Sequence, residues 1–311
     1  MRVARVNGPS IVAALCLVFS GACAAHGSEN VDAHPLFDAT LAVLLAGVAV
    51  LYARGVVRIW RRAGMGRGVR VADAVRFALG MIAVAVALLS PIDALADRSF
   101  ALHMIEHELL MVVAAPLLVL ARPLEASVWG LPRDARRGIA SFARAPALVG
   151  FWAALTGPVA ATLVHAIVLW VWHVPALFVA ALGSLPLHVL QHVCFFASAL
   201  AFWWAVVGGA TRRPAPLSLA CLFATMLQTS ALGALLTFAS SPWYADPLQM
   251  RAFGLSPLED QQLGGLVMWV PGALAYVVVA LWIVARWLAR PSPARSRAVA
   301  AKTIVGSRAR A

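Results

Sequence analysis

Apolar residues run along this chain in blocks of about twenty, the length that crosses a bilayer as one α-helix. The blocks predict seven spans, at 37–53, 71–90, 100–121, 159–174, 188–207, 217–239 and 264–287. An eighth apolar stretch, 145–156, is followed by Gly157-Pro158 and reads as a short interfacial or re-entrant piece. Ahead of the first block, Arg2 and Arg5 precede an apolar run at 11–19 and the small-residue site Ala22-Cys23-Ala24, the pattern of a cleavable signal peptide. The expected fold is therefore all-α, a polytopic membrane helix bundle of seven transmembrane helices. Its expected divisions are a signal at 1–24, a short exported segment at 25–36, a membrane domain at 37–287 and a basic tail at 288–311 with no apolar period.

Composition agrees with this pattern. Only 12% of residues are charged, against about 25% in soluble domains, so one or two soluble globules are excluded. The formal charge of +12 is almost all arginine, with Lys302 the one lysine. A balance this basic would suit nucleic acid, but the arginines sit in alternate loops, as membrane orientation requires. Arg54, Arg58, Arg61, Arg62, Arg67, Arg70 and Arg76 follow the first span, and Arg122, Arg133, Arg136, Arg137 and Arg144 follow the third. Arg212 and Arg213 follow the fifth, and the tail carries six more basic residues. The opposite loops hold only Arg98 and Arg251, beside Asp93, Asp97, Asp246, Glu259 and Asp260. The positive-inside rule then predicts an N-terminus outside after signal removal and a C-terminus inside, with the basic tail resting on anionic lipid.

Two stretches nearly repeat each other: Leu102-His103-Met104-Ile105-Glu106-His107 and Leu187-His188-Val189-Leu190-Gln191-His192. Each places two histidines four residues apart, on one face of a helix. The arginine topology puts both pairs in the outer turns of their spans. It puts His173 at the outer end of the fourth span, with His165 about 12 Å deeper. His26 and His34 fall in the exported segment, which leaves no histidine on the inner side. Ionisable groups inside membrane helices are costly and mark functional sites. Neutral imidazole binds copper, zinc, iron and nickel, and the nearby Met104 and Met268 bias the site toward copper. Glu106 and Glu108 are candidates to orient the imidazoles.

Other readings of the histidines stay open: ties between helices, a proton relay, or axial ligands of a b-type haem. The crowding of both pairs at the outer surface favours a small ion over haem. Glu259, Asp260 and Gln261 precede the seventh span, either capping its N-terminus or covering the histidine site as a docking surface. The two histidine motifs also suggest a parallel duplication of spans 2–3 and 4–5. There is no nucleophile–base set and no phosphate loop, so no catalysed reaction is expected.

Four blocks carry a family resemblance. The first is His103-Met104-Ile105-Glu106-His107 through Ala114-Ala115-Pro116-Leu117-Leu118 and Arg122-Pro123. The second is Trp172-His173-Val174-Pro175-Ala176-Leu177, and the third runs from His188 to Trp203-Trp204. The fourth is Gly254-Leu255-Ser256-Pro257-Leu258-Glu259-Asp260-Gln261-Gln262-Leu263-Gly264-Gly265 through Met268-Trp269-Val270-Pro271-Gly272. Together they resemble the seven-span bacterial cytochrome c oxidase assembly factor CtaG. The resemblance implies residence in the bacterial cytoplasmic membrane and a part in maturing haem–copper oxidase through copper supply or insertion. The implied partners are oxidase subunits and a periplasmic copper donor. Glu106 and Glu108 depart from the family pattern, which leads one to expect an amide and an apolar residue there.

Overall fold

The computed structural model describes residues 35–96, 98–208, 214–244 and 252–289. The expected signal peptide, His26, His34, Asp97, Arg212, Arg213, Asp246, Arg251 and the tail from residue 290 lie outside the described residues. The elements within them are helical, without a strand. Six helices are long and apolar enough to span a membrane, or up to eight spans if each of two bent helix pairs counts as one.

The first helices are α1 (Pro35–Ala63) and α2 (Val71–Leu89), followed by the short α3 (Pro91–Ala96). The third span, Phe100–Ala121, has three parts: α4 (Phe100–Glu108), a π-helical turn (Leu109–Ala114) and α5 (Ala115–Ala121). Pro116 explains the middle part. It has no N–H for the carbonyl four residues back, and the chain widens before it, with Ala115 N–H reaching Leu110 O instead. Trp203 Nε1 donates to Met111 O at 2.8 Å, occupying a carbonyl within the widened turn.

Two short helices follow the third span, α6 (Pro123–Gly130) and the amphipathic α7 (Arg133–Phe142). Arg58 of α1 donates to the carbonyls of Trp129, Gly130 and Leu131, closing the end of α6. The apolar stretch expected to be interfacial or re-entrant is α8 (Pro146–Leu155). It meets α7 at a 67° bend and its ten residues reach only about 15 Å.

The span expected at 159–174 is α9 (Pro158–Trp172), 15 residues and about 22 Å long, short of a bilayer core of about 30 Å. It continues through a 73° bend into α10 (Pro175–Leu182). Pro175 causes the break, because the residue before a proline is pushed out of helical geometry, and Val174 lies at φ −62°, ψ 127°. The remaining spans are α11 (Leu185–Trp203), which runs into a second π-helical turn at Trp204–Gly208, then α12 (Ala215–Thr237) and α13 (Pro257–Leu288).

The α12–α13 pair makes the most extensive contact in the bundle. Its closeness depends on small residues: a Cβ on Gly265 would lie 2.7 Å from Gly233 O and from Thr237 N. On the neighbouring face of α13, a Cβ on Gly264 would overlap the Phe100 ring, so this glycine lets α13 lie directly on the start of α4.

Candidate metal centre

The site begins at the first turn of α4. Ser99 caps that helix, its Oγ accepting from Leu102 N–H and donating to Asp260 Oδ1 at 2.8 Å. The same carboxylate, from the first turn of α13, accepts from Phe100 N–H at 2.6 Å and Ala101 N–H at 3.1 Å. Asp260 therefore satisfies the free N–H groups of a helix other than its own and is 2% exposed. Its neighbour Glu259 closes a capping box with Ser256 at the exposed start of α13, away from the histidines.

One turn beyond this anchor come His103 and His107, both buried. Their ring centres are 4.3 Å apart. The second motif faces them from α11: His188 stacks on His103 at 5.2 Å with a 16° interplanar angle, and His192 lies 5.2 Å from His107 and 6.0 Å from His103. The bend after α9 adds His173, whose ring centre is 6.4 Å from that of His107. Five imidazoles thus meet at one end of the bundle. In three of them, His103, His188 and His192, one ligand atom from each lies within 4.8 Å of the others.

The polar residues between the histidines are arranged reciprocally. Glu106 on α4 reaches His192 on α11, with Oε1 3.3 Å from Nε2. Gln191, at the matching motif position on α11, lies against His103 on α4. Each motif therefore supplies the polar neighbour of the other's histidine. His173 is fixed differently: its Nδ1 is 2.7 Å from Leu169 O, which assigns the proton to Nδ1 and leaves the Nε2 lone pair free to bind. Its own carbonyl accepts from Tyr244 Oη at 2.9 Å. Tyr244 is wedged between Phe100 and Phe178, and burial pushes its phenol well above the ordinary value, so it remains a donor. Gln261 holds the preceding residue, its Oε1 accepting from Trp243 N–H at 2.6 Å.

Both ring nitrogens of His107, and Nε2 of His173 and of His188, have no hydrogen-bond partner among the described residues. Buried imidazole nitrogens are costly to leave unpaired. Several lone pairs converging behind Phe178 and Phe195 form a donor set suited to a small, imidazole-preferring ion.

Not every histidine expected here joins the cluster. His165 is buried, but its Nδ1 pairs with Ser198 Oγ at 3.0 Å and its ring stacks on Phe202, so it ties α9 to α11. Met104 packs toward Gly264, and Met268 belongs to the hydrophobic core. Glu108 turns from the imidazoles to lie against Gly272 of α13. Sequence reasoning gave no role to Gln191 and read Tyr244 only as an aromatic anchor at the membrane interface. The motif repeat, which sets Gln191 opposite Glu106, was the available signal for the first. Tyr244 carried no signal beyond its place among aromatic residues.

Residues 50–290 match the family described as cytochrome c oxidase caa3 assembly factor. Two uncharacterized proteins, from Mycobacterium bovis and Mycobacterium tuberculosis, are each 24% identical to the chain over 273 residues, covering 84% of it. The chain spans about two fifths of the length of these curated relatives, the match covering 40% of each. No solved structure matches the chain.

Proposed function

Because the chain belongs to the cytochrome c oxidase caa3 assembly factor family, we propose that it carries copper as cargo at its imidazole cluster and hands it to a haem–copper oxidase subunit. The observation carrying this reading is the convergence of His103, His188 and His192, whose ligand atoms lie within 4.8 Å of one another in a largely buried setting. His107 and His173 extend the donor set. Copper bound by neutral imidazoles can move between sites by ligand exchange, so the role needs no catalysed covalent step. The alternation of arginines supports a cluster on the outer, periplasmic side of the bacterial cytoplasmic membrane, where a copper donor would deliver the ion. Arg58, Arg62 and Arg136 collect around Trp129 at the opposite end of the third span, in keeping with that orientation.

The spacing supports a small ion over haem. An axially ligated macrocycle needs two imidazoles on opposite sides of a broad plane, whereas each of these five rings has another of the five 4.3 to 6.4 Å away. The test is metal analysis of the full chain purified in mild detergent. Copper should accompany the wild type and be absent from a folded His103→Ala, His107→Ala, His192→Ala variant, and neither should show a Soret band. Full copper retention in that variant would overturn the reading, as would a stoichiometric Soret band.

A further inference from the structure

We propose that the five imidazoles form two copper positions: an outer trio of His103, His188 and His192, and a closed pair of His107 and His173. This rests on the copper reading above and divides its site. The trio is the set whose ligand atoms approach one another within 4.8 Å, and His107 is not part of it. His107 stands edge-on to both His103 and His192, at interplanar angles of 79° and 80°, though its ring centre is only 4.3 and 5.2 Å from theirs. Across from it is His173, whose Nδ1 is engaged by Leu169 O, so that Nε2 is the nitrogen left to bind.

The distance between these two rings fits one shared ion. With metal–nitrogen bonds of about 2.0 Å and each nitrogen about 1.1 Å from its ring centre, two imidazoles facing across a metal stand roughly 6 Å apart, centre to centre. The His107–His173 separation is 6.4 Å. Within the trio, His188 is 5.2 Å from His103 and 4.5 Å from His192, and His103 is 6.0 Å from His192, spacings shorter on average that suit an angled three-nitrogen site.

The surroundings differ as well. His188 is half-buried and opens the trio to the outside, while His103 and His192 behind it are 0% and 7% exposed and His107 and His173 are 1% and 3% exposed. Phe195 packs against both members of the pair, at 4.5 and 5.8 Å. Two nitrogen donors in a dry, aromatic-walled pocket suit Cu(I) over a hydrated divalent cation. His103 and His192 both adjoin His107, so the ion can pass from trio to pair by exchange. The bond to His188 breaks as one to His107 forms, and the other trio bonds are released as His173 binds. Copper stays Cu(I) throughout, and the imidazoles stay neutral.

Anaerobic titration of the full chain in detergent with Cu(I), against a chromophoric Cu(I) chelator, tests the division. The wild type should bind two equivalents. His173→Ala and His107→Gln should each bind one, with helical content unchanged. His188→Ala should also bind one, and X-ray absorption at the copper edge should then show two nitrogen neighbours. Two independent variants of the pair guard against a folding defect in either. One equivalent in the wild type would overturn the two positions and leave the copper reading standing, whereas none would overturn both.

Discussion

Asp260 is a buried carboxylate that organises the first turn of a helix to which it does not belong. It accepts from Ser99 Oγ and from two backbone N–H groups, one turn before His103. Asp260→Ala should therefore cost about 2 kcal/mol of stability, seen as earlier thermal unfolding in detergent, and Asp260→Asn should recover part of it through its remaining acceptor oxygen. Glu106 touches a candidate ligand directly, so Glu106→Gln should leave the fold intact and weaken copper binding about 10- to 100-fold in chelator competition. His165→Gln should leave copper content unchanged, because that histidine serves Ser198 and Phe202. The sequence placed His165 at the site by depth alone. Depth does not set direction: eight helical residues turn a side chain about 80° away from His173, enough to face another neighbour. Asp260 was legible as a capping residue, but spacing along one chain cannot say which helix a carboxylate caps.

Among the elements, α13 lies close to Phe100 and braces the start of α4, the helix that carries His103 and His107. Gly264→Leu should push α13 off the start of α4, costing about 1–3 kcal/mol and lowering copper binding, with thermal unfolding and metal content as the two readouts. The apolar blocks made the long spans legible, since a helix crossing lipid must satisfy its backbone internally and present an apolar surface. The bend between α9 and α10 was harder to read from hydropathy, because both arms are apolar and the pattern does not change across them. Its signal was local, in Val174-Pro175, and the bend is what turns His173 toward the α4 and α11 pairs. The 145–156 piece ends at Gly157-Pro158, and together with α7 it makes either a broken span or a re-entrant loop, a distinction that hydropathy does not draw.

At the scale of the whole molecule, the histidines gather at one end of the bundle and Arg58, Arg62 and Arg136 at the other. With the histidine end outside, Gly183→Cys should react with a membrane-impermeant maleimide in intact cells. Gly138→Cys should react only after permeabilisation, and the reverse pattern would invert the proposed orientation. The reciprocal contacts of Glu106 and Gln191 bear on how such a cluster treats its cargo. Two helices of the same motif face each other as near images, but one offers a carboxylate where the other offers an amide. A scaffold with exact two-fold symmetry would hold a cation evenly between its halves. Here the two motif positions are unequal, an acidic group beside His192 and an amide beside His103, so the pocket has two chemically distinct sides.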